Sequence, residues 1–151
     1  MSPKLEFICD FTVDLGPTQE MGECGPVTRR IIPIVGGTVS GELLQGRILA
    51  IGADWQTVEA DGLALLDARY GVETTDGAVI EVISQGMRHM SPEIAARVAR
   101  GEEVPFSDYY MRTAIRLATG HPNYRWVNRS LFLGAGGKIG QTVRLSIYRV
   151  G

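Results

Sequence analysis

The chain has 151 residues, 44% hydrophobic and 21% charged, with a formal net charge of −2. That size and balance suit one domain, residues 1–151, with a single core. The absence of a basic block argues against nucleic acid, which calls for a positive patch. No apolar run reaches the roughly 18 residues of a membrane-spanning helix.

Nineteen glycines and seven prolines punctuate a chain that reads as successive strands. Residues 4–15 alternate Leu5, Phe7, Cys9, Phe11 and Val13 against Glu6, Ile8, Asp10, Thr12 and Asp14. A period of two with one apolar face is a half-buried strand rather than a signal peptide, so a cytoplasmic setting is expected. Gly16-Pro17 ends it, and Thr18–Arg29 has no sustained period, as in a loop over a barrel mouth. Arg29–Val35 is a β-branched run in which Pro33 cannot donate a ladder hydrogen bond, which predicts an edge or a bulge. Gly36-Gly37 is expected to turn the chain into a strand over Glu42–Ile51, after which Gly52-Ala53-Asp54-Trp55 opens a loop.

Leu63–Thr74 follows, with Ala64, Leu66, Ala68, Tyr70 and Val72 on one face. Asp76-Gly77 signals a tight hairpin into Ala78–Arg88, where Ala78, Ile80 and Val82 share a face with Ser84 and Arg88. Ser91–Arg100 is the one good helix: Ser91 is an N-cap candidate, Pro92 suits the first position, Glu93 favours the N-terminal end and Gly101 stops it. Strands are then predicted over Tyr109–Thr119, Arg125–Leu133 and Thr142–Val150. The run Gly134–Gly140 reads as a hairpin loop, because no helix opens after it as a dinucleotide fingerprint requires. About eight strands and one short helix predict an all-β fold with minor α, a closed antiparallel barrel.

Cys9 and Cys24 have no metal-like spacing and are expected to be reduced thiols. His89 and His121 are the only histidines, too far apart to suggest a metal site. Thirteen of the fifteen basic residues are Arg, a bias that a GC-rich genome alone can produce. The densest polar and aromatic pattern is Tyr110-x-Arg112 followed by Trp126-x-Asn128. Each pair shares one face of a strand, and together they could line a pocket for a carboxylate, ketone or phenol. The alternative is that Arg112 pairs with an acid while Tyr110 and Trp126 fill the core. Asp54 beside Trp55 is a candidate acid or base if burial raises its pKa, or a turn residue bonded to its own backbone. His121 is a candidate base or a plain loop residue.

The succession Arg30, Ile-Pro-Ile, Gly36-Gly37-Thr, Ser-Gly41, Gly46, Gly-Ala-Asp54-Trp55, Asp61-Gly62, Asp67-Ala-Arg69-Tyr70, Thr-Asp76-Gly77, Gly86-x-Arg88, Tyr110-x-Arg112 and Tyr124-x-Trp126-x-Asn128 resembles the domain-of-unknown-function 3237 family, also called uncharacterised protein family 0311. The resemblance spans nearly the whole chain. It implies a small calycin-like or allene-oxide-cyclase-like β-barrel and pocket positions Arg30, Asp54, Tyr110, Arg112, Trp126 and Asn128, but no particular reaction.

Three functions fit the sequence. One is a cofactor-independent isomerase, cyclase, hydratase or lyase for a small oxygenated organic acid or ketone. In it Arg112 and Arg30 would hold the anion, Tyr110 and Asn128 would polarise the carbonyl, Trp126 would form a wall, and Asp54 or His121 would move the proton. A carrier or sensor of an apolar or aromatic ligand is the second, and a structural oligomer with a filled barrel the third. Apolar residues on both faces of several strands suggest a homodimer or homotetramer. No metal, membrane or nucleic-acid partner is expected.

Overall fold

A computed structural model describes the whole of Met1–Gly151. The strands are β1 (Leu5–Leu15), β2 (Gln19–Cys24), β3 (Val27–Ser40), β4 (Gly46–Val58), β5 (Ala64–Thr74), β6 (Val79–His89), β7 (Tyr110–Ala118), β8 (Leu131–Ile139) and β9 (Thr142–Val150). Helix α1 (Pro92–Ala99) and two 3-10 segments, Phe106–Asp108 and Pro122–Arg129, complete the chain. The strands form one antiparallel sheet ordered β1-β9-β8-β7-β6-β5-β4-β3-β2, and a β1–β3 pairing closes it. Eight strands thus make the closed barrel that the alternation predicts, with β2 extending one end of β3.

The period-two reading identifies the apolar inner face of β5 and groups the residues of β6 correctly, and the structure turns the Ala78–Ile80–Val82–Ser84 group inward. Ala64, Leu66, Tyr70 and Val72 are buried on β5, as are Ile80, Val82 and Ser84 on β6. On β7 the buried residues are Met111, Thr113, Ile115 and Leu117, so Tyr110 and Arg112 share a face as expected, but it is the outer one. Helix α1 begins as its sequence indicates, with the Ser91 hydroxyl accepting from the Ile94 amide at 3.2 Å.

Several boundaries differ from the sequence reading. Thr18–Arg29 is largely the β2–β3 hairpin, with Cys24 opposite Val27. Gly36-Gly37 does not turn the chain; it lies within β3 at a bulge, where Leu15 pairs with Ile34 and Asp14 with Gly36. The extra residue switches the buried positions of β3 from Ile32 and Ile34 to Val39. β4 likewise continues past Gly52, so Asp54 is a strand residue and not the start of a loop. Residues 122–129 are 3-10 rather than strand. The glycine run is mostly strand β8, and the turn falls at Gly140-Gln141. Phe106 and Tyr109 pack against β8 there: a Cβ at Gly137 would stand 2.1 Å from the Tyr109 hydroxyl.

The two halves of the barrel differ. One end is packed solid with Phe11, Phe132, Ile80, Ile115, Ile147 and Val72, all fully buried, with Leu44 and Val127 over them. The other end, where β4, β6 and β8 finish and β5, β7 and β9 begin, is open.

Pro122–Arg129 is pinned to the packed end through Asp76, whose Oδ1 accepts from the Thr74 hydroxyl at 2.6 Å and the Tyr124 hydroxyl at 2.7 Å. These bonds, Thr74 first, pull the pKa of Asp76 from 3.8 down to about 2. A depressed carboxyl pKa favours the folded state above the unfolded value, and that contribution is lost as pH falls through about 2. Tyr124→Phe should therefore raise the Asp76 titration midpoint toward 3.8, read by NMR of its side-chain carboxyl carbon. An unmoved midpoint would show that the Tyr124 bond does not hold the carboxylate.

Candidate functional site

The open half encloses a cavity of about 100 Å³. At about 30 Å³ for each water in the liquid, that space holds a few waters or one small organic ligand. Val13, Leu15, Ile32, Ile34, Leu66 and Met111 supply apolar wall, while Arg30, Asp54, Gln56, Ser84, Arg88, Thr113 and Lys138 supply polar groups.

A bulge places the acid. Ile48 pairs with Val72 and Gly52 with Tyr70, so four steps along β4 match two along β5. Gly52 closes this bulge at φ +86, and a Cβ on it would lie 2.1 Å from the Arg69 carbonyl oxygen. Only glycine satisfies both conditions. Beyond it the ladder resumes, with Asp54 opposite Ala68 and Ala68 opposite Ser84. Arg30 lies opposite Gln56 and Ile32 opposite Asp54, so the carboxylate sits one inward position deeper than Arg30 and Gln56.

The polar groups form a directed chain. Arg30 Nε donates to Gln56 Oε1 at 2.9 Å, and Gln56 Nε2 donates to Asp54 Oδ2 at 2.7 Å. The Asp67 amide donates to Asp54 Oδ1 at 2.9 Å. With the guanidinium on one side and the carboxylate on the other, the Gln56 amide has only one satisfactory orientation.

Burial pushes the pKa of Asp54 up and outweighs the bonds from Gln56 and Asp67 and the charge of Arg88, which pull it down. Burial likewise disfavours the charged forms of Arg88 and Lys138. Arg30 adds to this for Arg88, and Arg88 with Arg30 for Lys138. Tyr70, below Asp54 on β5, has its phenol pKa raised by burial and then by the Asp54 charge. A carboxyl of raised proton affinity among cations, on an apolar floor, can transfer a proton to or from a bound anion.

The sequence-predicted residues divide. Arg30 and Asp54 line the cavity; the other five lie outside it. Tyr110 is half exposed, with the Arg112 guanidinium 5.4 Å from its ring centroid, and Arg112 Nη1 donates to the Met111 carbonyl at 2.8 Å. His121 caps the 3-10 segment, its Nδ1 accepting from the Asn123 amide at 3.2 Å. Asn128 exchanges two 2.8 Å bonds with the Thr119 backbone. Trp126 packs on Phe132 at 6.1 Å, with the Arg149 guanidinium 6.0 Å from its ring centroid. Tyr110-x-Arg112 and Trp126-x-Asn128 do not line a common pocket, because residues 122–129 are not a strand.

Gln56, Tyr70, Ser84, Arg88, Thr113 and Lys138 were not singled out. Parity puts Tyr70 on the apolar face of its strand and groups Ser84 and Arg88 with Ala78, Ile80 and Val82, and that signal could have found them. Cys9 and Cys24 are free thiols, and burial pushes the pKa of Cys9 up to about 12.

Fold and cavity together define a small closed β-barrel with a charged lumen open at one end. Residues 3–150 match the family model described as "Protein of unknown function (DUF3237)". The chain is 40% identical to the UPF0311 protein RPA1785 of Rhodopseudomonas palustris and 36% identical to the UPF0311 protein blr7842 of Bradyrhizobium diazoefficiens, each match covering 99% of both chains. It belongs to this family.

Among solved structures, the conserved protein of unknown function RPA1785 matches at TM-score 0.95 and 37% identity, covering 100% of this chain and 99% of that one. A beta-barrel like protein from Acinetobacter baumannii AYE matches at TM-score 0.87 and 39% identity, covering 100% and 98%. A structure described as an enzyme from Penicillium herquei matches at TM-score 0.77 and 21% identity, covering 100% and 96%; that likeness shows the fold alone.

Proposed function

We propose that the lumen is an acid–base active site for a small oxygenated organic acid or ketone, of the isomerase, cyclase, hydratase or lyase type. The observation that carries this reading is Asp54: a carboxyl inside the cavity, oriented by Gln56 and the Asp67 amide, with its pKa raised. Such a group is poised to give or take a proton closer to neutral pH than an ordinary Asp. Arg30, Arg88 and Lys138 would hold the anionic group of the ligand or stabilise an enolate as it forms. The anchoring and proton-transfer roles thus fall to these cavity residues and not to Tyr110, Arg112, His121, Trp126 and Asn128. The apolar wall also favours a second reading, a carrier of an apolar ligand, in which Asp54 only orients.

The protein's own ligand provides the test. Purified protein is denatured, and released small molecules are identified by mass spectrometry. The captured compound is then incubated with fresh protein in D₂O. Deuterium incorporation at one carbon, or conversion to an isomer, is expected. Retention of a compound that neither exchanges nor converts would favour the carrier, and recovery of none in repeated preparations would count against both readings.

No helix is long and apolar enough to cross a membrane. The proposed setting is cytoplasmic. Outside the barrel, Leu5, Phe7, Leu131 and Leu133 are exposed and are bridged by cross-strand pairs to Tyr148 and Val150. This row is the face we assign to a homodimer or homotetramer.

A further inference from the structure

We propose that the cavity selects a bifunctional ligand, a carboxylate that also bears a hydroxyl or carbonyl oxygen. Arg30, Arg88 and Lys138 hold the carboxylate, and the Thr113 hydroxyl takes the second oxygen. The inference rests on the reading of the lumen as a ligand site and specifies its substrate class.

The anionic end follows from charge. Arg30, Arg88 and Lys138 face one cavity with Asp54 as its only carboxylate, so three positive charges against one negative leave an excess of +2 when Asp54 is ionised. The molecule's ion pairs are Arg47–Glu73, Arg97–Glu102, Arg100–Glu102 and Arg149–Glu6, and none involves these cations. Arg30 is held at Nε by Gln56, which leaves its terminal nitrogens for a ligand. Gathering like charges at a partly dry site is unfavourable without an anion to compensate them.

Thr113 supplies the second requirement. It is 4% exposed, and its Oγ1 is buried with no hydrogen-bond partner. Such atoms are rare in native interiors, and each calls for a reason. Valine would fill the same space without an orphaned hydroxyl. Thr113 pairs with Gly86 on β6 and Gly134 on β8, so neither flanking position carries a side chain that could satisfy it. A Cβ at Gly134 would stand 2.5 Å from this oxygen, so the hydroxyl lies over Gly134, and a ligand oxygen reaches it once the side chain turns about Cα–Cβ toward the cavity that Thr113 lines. Ser84, 3% exposed, adds a hydroxyl from the neighbouring strand. A simple carboxylate would leave Thr113 unsatisfied; a hydroxy or keto acid would not.

Calorimetric titration of the full chain with matched pairs tests this: lactate and propionate, 2-hydroxyisocaproate and 4-methylpentanoate, mandelate and phenylacetate, each with its amide. In at least one pair the hydroxy acid should bind about tenfold or more tightly than its deoxy partner, and the amides should bind more weakly than the acids. Thr113→Val should erase the hydroxyl preference without lowering Tm, because the hydroxyl makes no internal bond. No preference in any pair, a preference that survives Thr113→Val, or amides equal to acids would overturn the proposal. Proton exchange is read separately in D₂O, so this binding result is separable from proton transfer: pairs without preference alongside Asp54-dependent exchange would sink the ligand class and leave the acid–base reading standing.

Discussion

Asp54→Asn is expected to slow turnover or proton exchange of the lumen compound by about 10²–10⁴-fold, the usual contribution of a positioned general acid or base. The variant keeps an oxygen for the Asp67 amide but turns a donor toward Gln56 Nε2. The pH dependence of its stability is therefore a cleaner readout than its stability at one pH. Burial holds the pKa of Asp54 above the ordinary carboxylate value, so the folded protein binds this proton more tightly than the unfolded chain does. Wild-type stability should then fall as pH rises from the unfolded value of about 4 through the raised folded value, and stay level above it. The asparagine variant does not titrate there, so its Tm relative to wild type should increase across that window. A Tm difference moving the opposite way would mean that the folded state prefers the carboxylate, and the proposed proton carrier would be lost. Turnover within about twofold of wild type would exclude Asp54 from the chemistry.

Gly52→Ala should be strongly damaging, although it adds only one methyl near the site. The left-handed backbone at φ +86 costs a non-glycine residue about 1–3 kcal/mol. The added Cβ would also lie 2.1 Å from the Arg69 carbonyl oxygen and 2.9 Å from the Tyr70 Cα, both main-chain atoms. A backbone cannot rotate aside as a side chain can, so β4 must pull away from β5. A loss of about 3 kcal/mol or more is expected, equivalent to about 6–12 °C in Tm for a chain of this length. Asp54 follows in the same strand, so ligand binding should weaken even in the fraction that remains folded. A Tm within about 3 °C of wild type would show that the bulge relaxes elsewhere and does not fix the acid.

Much of the fold was legible because period two survives wherever a strand has one wet face. Leu63–Thr74 gave its apolar inner face on that ground alone; Ala78–Arg88 gave the grouping of Ser84 and Arg88 with Ala78, Ile80 and Val82 but not which face turns inward, because Val79, Ile83 and Met87 make the other face apolar too. The errors fall where another force overrides alternation. On β7 the polar and aromatic character of Tyr110-x-Arg112 suggested a pocket, although Met111, Thr113, Ile115 and Leu117 form the more apolar set and bury accordingly. Charged side chains take the outer face unless a cavity and partners receive them. The bulges at Gly36-Gly37 and Gly52 were not legible, because glycine that closes a bulge and glycine that turns a chain look alike in sequence. Lys138 escaped for a similar reason, sitting in a glycine run that reads as loop until Phe106 and Tyr109 are seen packed against it.

The solid packing of one barrel end gives the lumen a single door. On the proposed reading, a ligand that enters past Arg30, Arg88 and Lys138 must leave by the same route, and the water it displaces leaves that way first. If the chemistry needs two molecules, the one reacting nearest Tyr70 must arrive first and depart last. Steady-state kinetics would then show compulsory order, with product competing directly against substrate for the empty protein.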